Sequence, residues 1–280
     1  MATITNAQPA AAAVPAPAAP RKRTIGLAWL WFTLAALFLI LPLLAMVWSS
    51  VTTPRGFTLN AYTEILAEPE FGSRFMFSFG AALLTITLST LLVVPTAYWV
   101  TLRLPRVRPV IEFLTVVPLV IPPLLLTFGL IRFFNSTPLT NSQNGLYVMM
   151  IGAYVILSFP YMYRSVDAGM QTVNIRALTE AAQSLGAGWG IILRRVIFPN
   201  LLVSVLNGSF ITFSIILGEF VVSSLLNQPA FSPFMLDLSY READQATALG
   251  IISFVLTWIS ILAIQIIGRG RASANITGAR

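Results

Sequence analysis

The chain has 280 residues, of which 56% are hydrophobic and only 10% are charged, and its formal net charge is +7. Soluble domains carry about 25% charged residues, so this composition excludes an ordinary soluble domain and predicts a membrane protein. Cysteine and histidine are both absent, which excludes disulfides, thiolate chemistry, soft metal sites and Ser-His-Asp catalysis.

The first 24 residues are rich in alanine and proline and end in the basic cluster Arg21–Arg23. A signal peptide places its basic residues first and its cleavage site after the apolar stretch, which is not the order seen here. The low-complexity composition predicts a disordered cytoplasmic tail over residues 1–24. Lys22 is the only lysine and has no glycine-rich loop before it, which excludes a Walker A site for ATP in this chain.

Long apolar runs follow the tail and continue almost to the end of the chain. A membrane-spanning helix needs about 20 consecutive apolar residues. By this measure the sequence predicts an all-α membrane protein with six transmembrane helices inside a membrane domain at residues 25–270. The predicted spans lie near residues 26–48, 75–100, 110–134, 145–163, 201–226 and 249–268. Pro118, Pro122 and Pro123 predict a kink in the third span.

The basic residues flank these runs, and their distribution predicts the orientation of the chain. With the N-terminus inside, 13 of the 17 basic residues fall in cytoplasmic segments. Cytoplasmic loops carry such an excess, so both termini, including a tail at residues 271–280, are predicted to be cytoplasmic. A nucleic-acid-binding protein would instead collect its basic residues on a soluble face, so no nucleic-acid partner is expected. The expected surroundings are membrane lipid.

The longest predicted cytoplasmic segment runs from residue 164 to residue 199. Its alanine-rich part, residues 175–185, predicts a short helix that Asn174 caps and that ends before a left-handed Gly186. Small side chains on this helix would let another protein approach closely: Ala177, Ala181, Ala182 and Ser184. Residues 191–198 predict a second apolar turn or two, which Pro199 stops. An amphipathic helix lying on the membrane surface is an alternative interpretation.

Polar residues inside the predicted spans are the candidates for a transport pathway. Glu219 lies within the fifth run, and ionisable residues at membrane depth usually face the bundle interior or a cavity. The alternative is a structural acid that bonds to a helix neighbour. The other pathway candidates are Tyr98, Asn207, Ser209 and Thr212. Each of these is also compatible with hydrogen bonding between helices.

The segment EAAQSLGAGWGIILRRVIFP, residues 180–199, resembles the EAA loop of ABC importer permeases. Glu180, Ala181, Ala182, Gly186 and Pro199 stand at the spacing of that motif. Val196 replaces its isoleucine and Phe198 replaces its leucine. The resemblance implies a type I ABC importer permease fold in the bacterial inner membrane. It also implies that residues 170–199 form a coupling loop, in which the contact residues are Glu180, Ala181, Ala182, Gly186, Val196 and Pro199.

The same resemblance implies partners and a class of solute. The partners would be a dimer of ATP-binding cassette ATPases, a second permease subunit, identical or homologous, and an extracytoplasmic solute-binding protein. The chain itself would be no enzyme and would need no cofactor. Leu185–Ala187 resemble polyamine, iron, sulfate and molybdate permeases at this point of the motif. The fifth-span segment SIILGEFVVSSLL resembles polyamine-type permeases, although Gly218-Glu219 replaces the acidic pair found there, so the chain is most similar to spermidine/putrescine-type permeases.

A polyamine or related organic cation is therefore the first expectation for the solute. Phosphonate, iron(III), thiamine or an oxyanion are the alternatives. An ion-gradient-driven secondary transporter is the rival class of protein. It would predict inverted repeats with broken spans, and no internal repeat is evident between the two halves of the sequence.

Overall fold

The computed structural model describes the backbone of residues 25–53 and 56–277. The predicted tail at residues 1–24 and the chain end at 278–280 lie outside the described residues. The described residues divide into two compact units, one that ends at Ala45 and one that begins at Met46. Helix α1 (Ile25–Val51) begins in the first unit, where nearly all of its described side chains are exposed. A helix that is apolar all round suits lipid contact.

The second unit is almost entirely helical. Its only strands in the described ranges are β1 (Thr52–Thr53) and β2 (Gly56–Phe57), which pair antiparallel. The α-helices that follow are α2 (Asn60–Ala67), α3 (Pro69–Leu102), α4 (Arg108–Val120), α5 (Pro123–Phe134), α6 (Gln143–Thr172), α7 (Ile175–Ser184), α8 (Trp189–Ile191), α9 (Phe198–Leu217), α10 (Val221–Leu225), α11 (Phe231–Arg241) and α12 (Ala243–Thr277). One-turn 3₁₀ helices lie at Pro105–Val107 and Pro138–Asn141, and a π-helix lies at Ile192–Ile197.

Helices α3, α6 and α9 pack against one another and form the centre of this unit. Hydroxyl groups bridge the helices: the Ser89 and Ser158 side chains lie 2.7 Å apart, and Ser165 donates to the carbonyl of Ser204 at 2.6 Å. A side chain at Gly208 would collide with α6, so the two backbones approach closely there. Small residues and interhelical hydrogen bonds are what membrane helices use to associate.

The predicted third span is a broken helix. Its two halves, α4 and α5, meet at an angle of 101°. The break lies at Ile121 and Pro122, whose ψ angles of 116° and 138° are extended. A proline disfavours the helical conformation of the residue before it, which explains the break before Pro122 and Pro123. The predicted kink is confirmed at these two prolines, whereas Pro118 lies within α4.

Two of the predicted helix boundaries are wrong. Helix α6 continues to Thr172, so residues 164–172 belong to the helix and not to the following loop. The fifth apolar run, residues 201–226, is not one helix, because α9 ends at Leu217 and α10 starts only at Val221. Gly218 and Glu219 interrupt the apolar run at this point, a signal that the prediction of a single span did not use.

Four helices in the described part of the chain are long and apolar enough to cross a membrane, and the α4–α5 pair adds a fifth. Within α12, Asp244–Ile259 forms a shorter apolar helix. The count of six spans and the orientation with both termini inside stay predictions. Helix α12 extends to Thr277, so the first part of the predicted tail at residues 271–280 is helical.

Candidate functional site

Helix α7 begins with a side-chain cap. The Asn174 side-chain oxygen accepts a hydrogen bond from the N–H of Ala177 at 3.1 Å. This bond satisfies one of the N–H groups that the first turn of a helix leaves without a partner. The predicted N-cap is confirmed.

The helix ends in a Schellman motif at Gly186. The N–H of Gly186 donates to the carbonyl of Gln183 at 2.8 Å, and the N–H of Ala187 donates to the carbonyl of Ala182 at 3.0 Å. Gly186 has φ +78°, the left-handed conformation that this motif requires and that glycine adopts without a steric penalty. The prediction of a left-handed Gly186 is confirmed. A Cβ at this position would meet no atom within 4 Å, so the constraint comes from the backbone alone.

The two faces of α7 differ in exposure. Ile175, Thr179 and Ala182 are buried against the rest of the unit, while Glu180 and Ala181 are exposed. The expectation that Ala182 lies on the open surface is therefore wrong, because the helical period turns it inward with Ile175 and Thr179. The face left open carries a carboxylate beside small side chains.

The segment after α7 is one continuous helical run into α9. Helix α8 passes directly into the π-helix Ile192–Ile197, and α9 begins at Phe198. The prediction that Pro199 stops a helix is wrong, since Pro199 lies in the first turn of α9. A proline ring crowds the carbonyl four residues earlier in an ideal α-helix, and the wider π turn relieves this crowding. Val196 and Pro199 are both half-buried.

The C-terminal end of α3 contacts both halves of this loop. The hydroxyl groups of Tyr98 and Thr179 lie 3.2 Å apart, and Thr179 donates its own proton to a backbone carbonyl in α7, so Tyr98 is the donor. The rings of Trp99 and Trp189 lie 5.1 Å apart, and the Arg103 guanidinium lies 5.0 Å from the centre of the Trp189 ring. We call these five residues the α3 clamp. They connect the loop to the central helices through a hydrogen bond, a ring contact and a cation–π contact.

Sequence reasoning did not identify Thr179 or Trp189 as members of this site. The sequence did offer one indication of this contact. Three aromatic residues, Tyr98, Trp99 and Trp189, lie near the predicted cytoplasmic ends of their segments. Tyr98 was instead predicted to line a pathway. Its side chain is fully buried in the core, where it belongs to the clamp.

The structure does not bring the predicted pathway residues together. Ser209 and Thr212 are buried on the inner face of α9, and the Thr212 hydroxyl has no hydrogen-bond partner among the described residues. Asn207 lies on the opposite, exposed face of the same helix. A shared pathway for these residues stays a prediction. No group of acidic side chains in the described ranges is suited to hold a metal ion.

Glu219 lies in the break between α9 and α10, with 9% of its surface exposed. Its carboxylate accepts hydrogen bonds from the N–H groups of Val221 at 2.8 Å, Val222 at 3.0 Å and Ser223 at 3.3 Å. These are the first three residues of α10, where a negative charge is stabilised by unpaired N–H groups. The buried Tyr154 of α6 also interacts with this carboxylate. Glu219 therefore stabilises the start of α10, and its role in a pathway stays a prediction.

Comparison with known proteins gives a consistent result at the level of family and fold. The family model described as "Binding-protein-dependent transport system inner membrane component" matches residues 93–271. The spermidine/putrescine transport system permease protein PotC of Escherichia coli K12 is 23% identical over 248 residues, which cover 85% of this chain and 92% of PotC. A probable molybdenum ABC transporter permease protein of Haloferax volcanii is 29% identical over 255 residues, covering 86% and 88%.

A probable sulfate transport system permease protein of Helicosporidium is 31% identical over 147 residues, which cover 50% of this chain and 53% of that protein. Among solved structures, a bacterial ABC transporter involved in alginate import matches with a TM-score of 0.64 at 15% identity, covering 88% of this chain and 95% of the other. An amino acid ABC transporter matches with a TM-score of 0.53 at 19% identity, covering 76% and 99%. These similarities in structure establish the fold.

Proposed function

The chain belongs to the family of binding-protein-dependent transport system inner membrane components, and on that premise we propose that its α6–α9 loop couples an ATPase to the transport pathway. Its role is that of a multi-pass permease of an ABC importer, in which a separate subunit hydrolyses ATP. Because the chain belongs to this family, the rival interpretation as an ion-gradient-driven secondary transporter is excluded. What the family does not specify is which residues transmit the motion and which solute passes.

The coupling proposal rests on helix α7, which has one exposed face and packs its other face against the central helices. Glu180 and Ala181 face outward on α7, and Leu185 at its end is 88% exposed. Behind this face, the α3 clamp and the buried residues Ile175 and Ala182 attach α7 to the central helices. A partner that displaces α7 therefore displaces the membrane helices as well. We propose that this partner is the ATP-binding cassette ATPase.

Two further partners belong to the same proposal. One is a second permease subunit, identical or homologous, that encloses the pathway together with this chain. The other is an extracytoplasmic solute-binding protein. Support for it comes from the family description and from a structural relative, an alginate ABC transporter solved in complex with a periplasmic protein that carries an alginate pentasaccharide. Purification of the complex from native membranes tests all three partners, because each should co-purify with the permease.

The orientation predicted from the basic residues, with both termini inside, leads to the first prediction. Because the chain contains no cysteine, single cysteines can be introduced without background labelling. A cysteine at Ser142, in the α5–α6 connection, should react with a membrane-impermeant thiol reagent added to intact cells. A cysteine at Ser184, at the exposed end of α7, should react only after the membrane is opened. The reverse pattern would invert the topology and remove the loop from the ATPase side.

A polyamine or related small organic cation is the solute that we propose first. The similarity to PotC over 85% of the chain supports it. An oxyanion is the second candidate, because two relatives are named for molybdenum and sulfate transport. A cavity of about 540 Å³ on the predicted outer side is lined by Arg74 and four side-chain amides, but Arg74 is paired with Glu70 at 2.6 Å, so the cavity favours neither candidate by charge.

Glu219→Gln separates these two candidates and gives the second prediction. The substitution keeps the side-chain shape, deletes the negative charge and leaves one acceptor oxygen for the N–H groups of α10. We expect assembly to be retained, with a loss of about 1 kcal/mol of stability from the weaker cap. Putrescine uptake should fall sharply if the solute is cationic, because a carboxylate lowers the electrostatic barrier for a cation in a low-dielectric region.

Molybdate or sulfate uptake should be unchanged or increased in the same variant. The measurements are thermal unfolding of the purified complex and uptake of labelled putrescine and molybdate. Complete loss of assembly would limit Glu219 to its structural role. Unchanged putrescine uptake would show that the Glu219 carboxylate plays no part in the pathway.

A further inference from the structure

The broken third span leaves a run of backbone carbonyl groups without hydrogen-bond partners. We call the junction at Ile121 and Pro122 the α4–α5 break. Pro122 and Pro123 carry no N–H, and the N–H groups of Leu124 and Leu125 make no bond across the break. Within the described part of the chain, four consecutive carbonyls therefore accept no hydrogen bond, those of Pro118, Leu119, Val120 and Ile121.

The α4–α5 break lies inside the hydrocarbon core of the membrane. Helix α4 begins at Arg108, which donates to Asp167 at 2.8 Å near the end of α6 that is predicted to be cytoplasmic. The 13 residues of α4 cover about 20 Å at roughly 1.5 Å per residue. A hydrocarbon core is about 30 Å thick, so α4 ends before it reaches the opposite surface.

The α4–α5 break is also open on the surface of this chain. Val120 is 77% exposed, Ile121 is 37% exposed, and Pro122 is exposed as well. Lipid tails offer no hydrogen-bond donors, and non-helical backbone at membrane depth occurs only where protein covers it or where it lines a water-filled cavity. The break is therefore not a lipid-facing segment.

The second interrupted span lies close by and differs in one respect. Helix α5 packs against α10, which begins directly after the break at Glu219. There the Glu219 carboxylate accepts hydrogen bonds from the N–H groups of α10, so the chain supplies the partner itself. No described side chain donates to the four free carbonyls of the α4–α5 break. Their partners must come from outside the chain.

We propose that the α4–α5 break lines the water-filled transport pathway and that its free carbonyl oxygens accept hydrogen bonds from the passing solute. Four free carbonyls outnumber the two free N–H groups, and the end of α4 carries the negative end of its helix dipole. An alkyl ammonium group has three donors and no acceptor, so it fits this segment better than an anion does. The inference rests on the permease role and, for the solute, on the proposed polyamine class.

A single cysteine at Val120 tests whether the break faces water. The chain contains no cysteine, so labelling has no background. The matched control is a cysteine at Phe38, the central residue of α1, which is 80% exposed on a helix that suits lipid contact. The permease–ATPase complex in lipid nanodiscs receives the binding protein, ATP and a small charged thiol reagent, and the labelling rate is measured with and without putrescine or molybdate.

We expect Val120→Cys to react roughly tenfold or more faster than Phe38→Cys, because the reactive thiolate forms in water and not in apolar surroundings. Putrescine should slow the reaction at Val120→Cys, and molybdate should not. Equal rates at the two positions would overturn the pathway assignment. A Val120→Cys that does not react in the complex, but reacts in the isolated permease, would show that the second permease subunit covers the break and would also overturn it.

The two solutes separate the parts of the proposal. Putrescine uptake without any slowing of the reaction, or slowing by molybdate alone, would overturn the contact between the carbonyls and the solute. If the importer takes up no putrescine but Val120→Cys still reacts much faster than Phe38→Cys, the polyamine function fails while the position of the break in the pathway is upheld.

The prolines test whether the free carbonyls are needed. Pro122→Ala together with Pro123→Ala restores two N–H donors and lets the helix continue across the break. In this variant we expect solute uptake to be lost and labelling of Val120→Cys to fall to the rate of Phe38→Cys. Pro118→Ala, which lies within α4, is the control and should change neither. Normal uptake in the double variant would contradict a role for the free carbonyls.

Discussion

Replacement of Gly186 by valine is expected to reduce solute uptake at least about tenfold while the permease still inserts into the membrane. Gly186 has φ +78°, and a left-handed conformation costs a residue with a Cβ about 1–2 kcal/mol, and more when the side chain is β-branched. No atom lies within 4 Å of the added Cβ, so the effect must come from the backbone and not from a collision. The Schellman motif should open and α7 should lose its fixed end.

Gly188→Val is the matched control for this experiment. Gly188 lies two residues further along, also has open space around its Cβ, and has φ −75° and ψ 162°, an extended conformation that valine adopts readily. The readouts are solute uptake, ATPase co-purification and stimulation of ATP hydrolysis by the binding protein. Normal uptake and normal stimulation in Gly186→Val would contradict a coupling role for the loop. A defect of equal size in Gly188→Val would show that side-chain bulk in the loop, and not the backbone at Gly186, is responsible.

Replacement of Trp189 by alanine is expected to leave the ATPase bound but to uncouple ATP hydrolysis from transport. Trp189 contacts Trp99 of α3 and Arg103, the residue after α3, and an aromatic pair and a cation–π contact together contribute about 2 kcal/mol. Without them α7 keeps only the Tyr98–Thr179 hydrogen bond and its buried side chains as connections to the central helices. The open face with Glu180 and Ala181 is untouched, so docking should survive.

The same substitution at Trp31, an exposed tryptophan of α1, serves as the control and should leave uptake unchanged. ATPase co-purification separates the two stages, because loss of the ATPase indicates failed docking and retained ATPase with lost uptake indicates failed transmission. A double-mutant cycle with Tyr98→Phe and Thr179→Val then measures the second contact of the clamp. If Trp189→Ala transports at the wild-type rate, motion must pass from α7 to the membrane helices by another route.

Features of the site that depend on a few neighbouring residues were predictable from the sequence. The cap at Asn174 and the left-handed Gly186 both follow from local side-chain and backbone chemistry, and both predictions are confirmed. The break at Pro122 and Pro123 was predictable for the same reason. In each case the responsible residue lies within one helical turn of the feature that it determines.

Features that depend on packing were not predictable in this way. The inward position of Ala182 and the burial of Tyr98 are set by contacts between residues far apart in the chain. The break at Glu219 depends on hydrogen bonds from backbone N–H groups to its carboxylate, and the composition of the surrounding run does not reveal these bonds. The distribution of arginines predicts which loops stay in the cytoplasm, but it does not predict that α6 continues past Arg164.

The uninterrupted helical run from the loop into α9 has a mechanical consequence. Trp189–Leu217 spans 29 residues, which at about 1.5 Å per residue makes a rod roughly 43 Å long. A tilt of about 5° around one end of such a rod moves the other end by roughly 4 Å. Displacement of the loop would therefore reach the break at Glu219 through the backbone of this rod, in addition to the contacts of the α3 clamp.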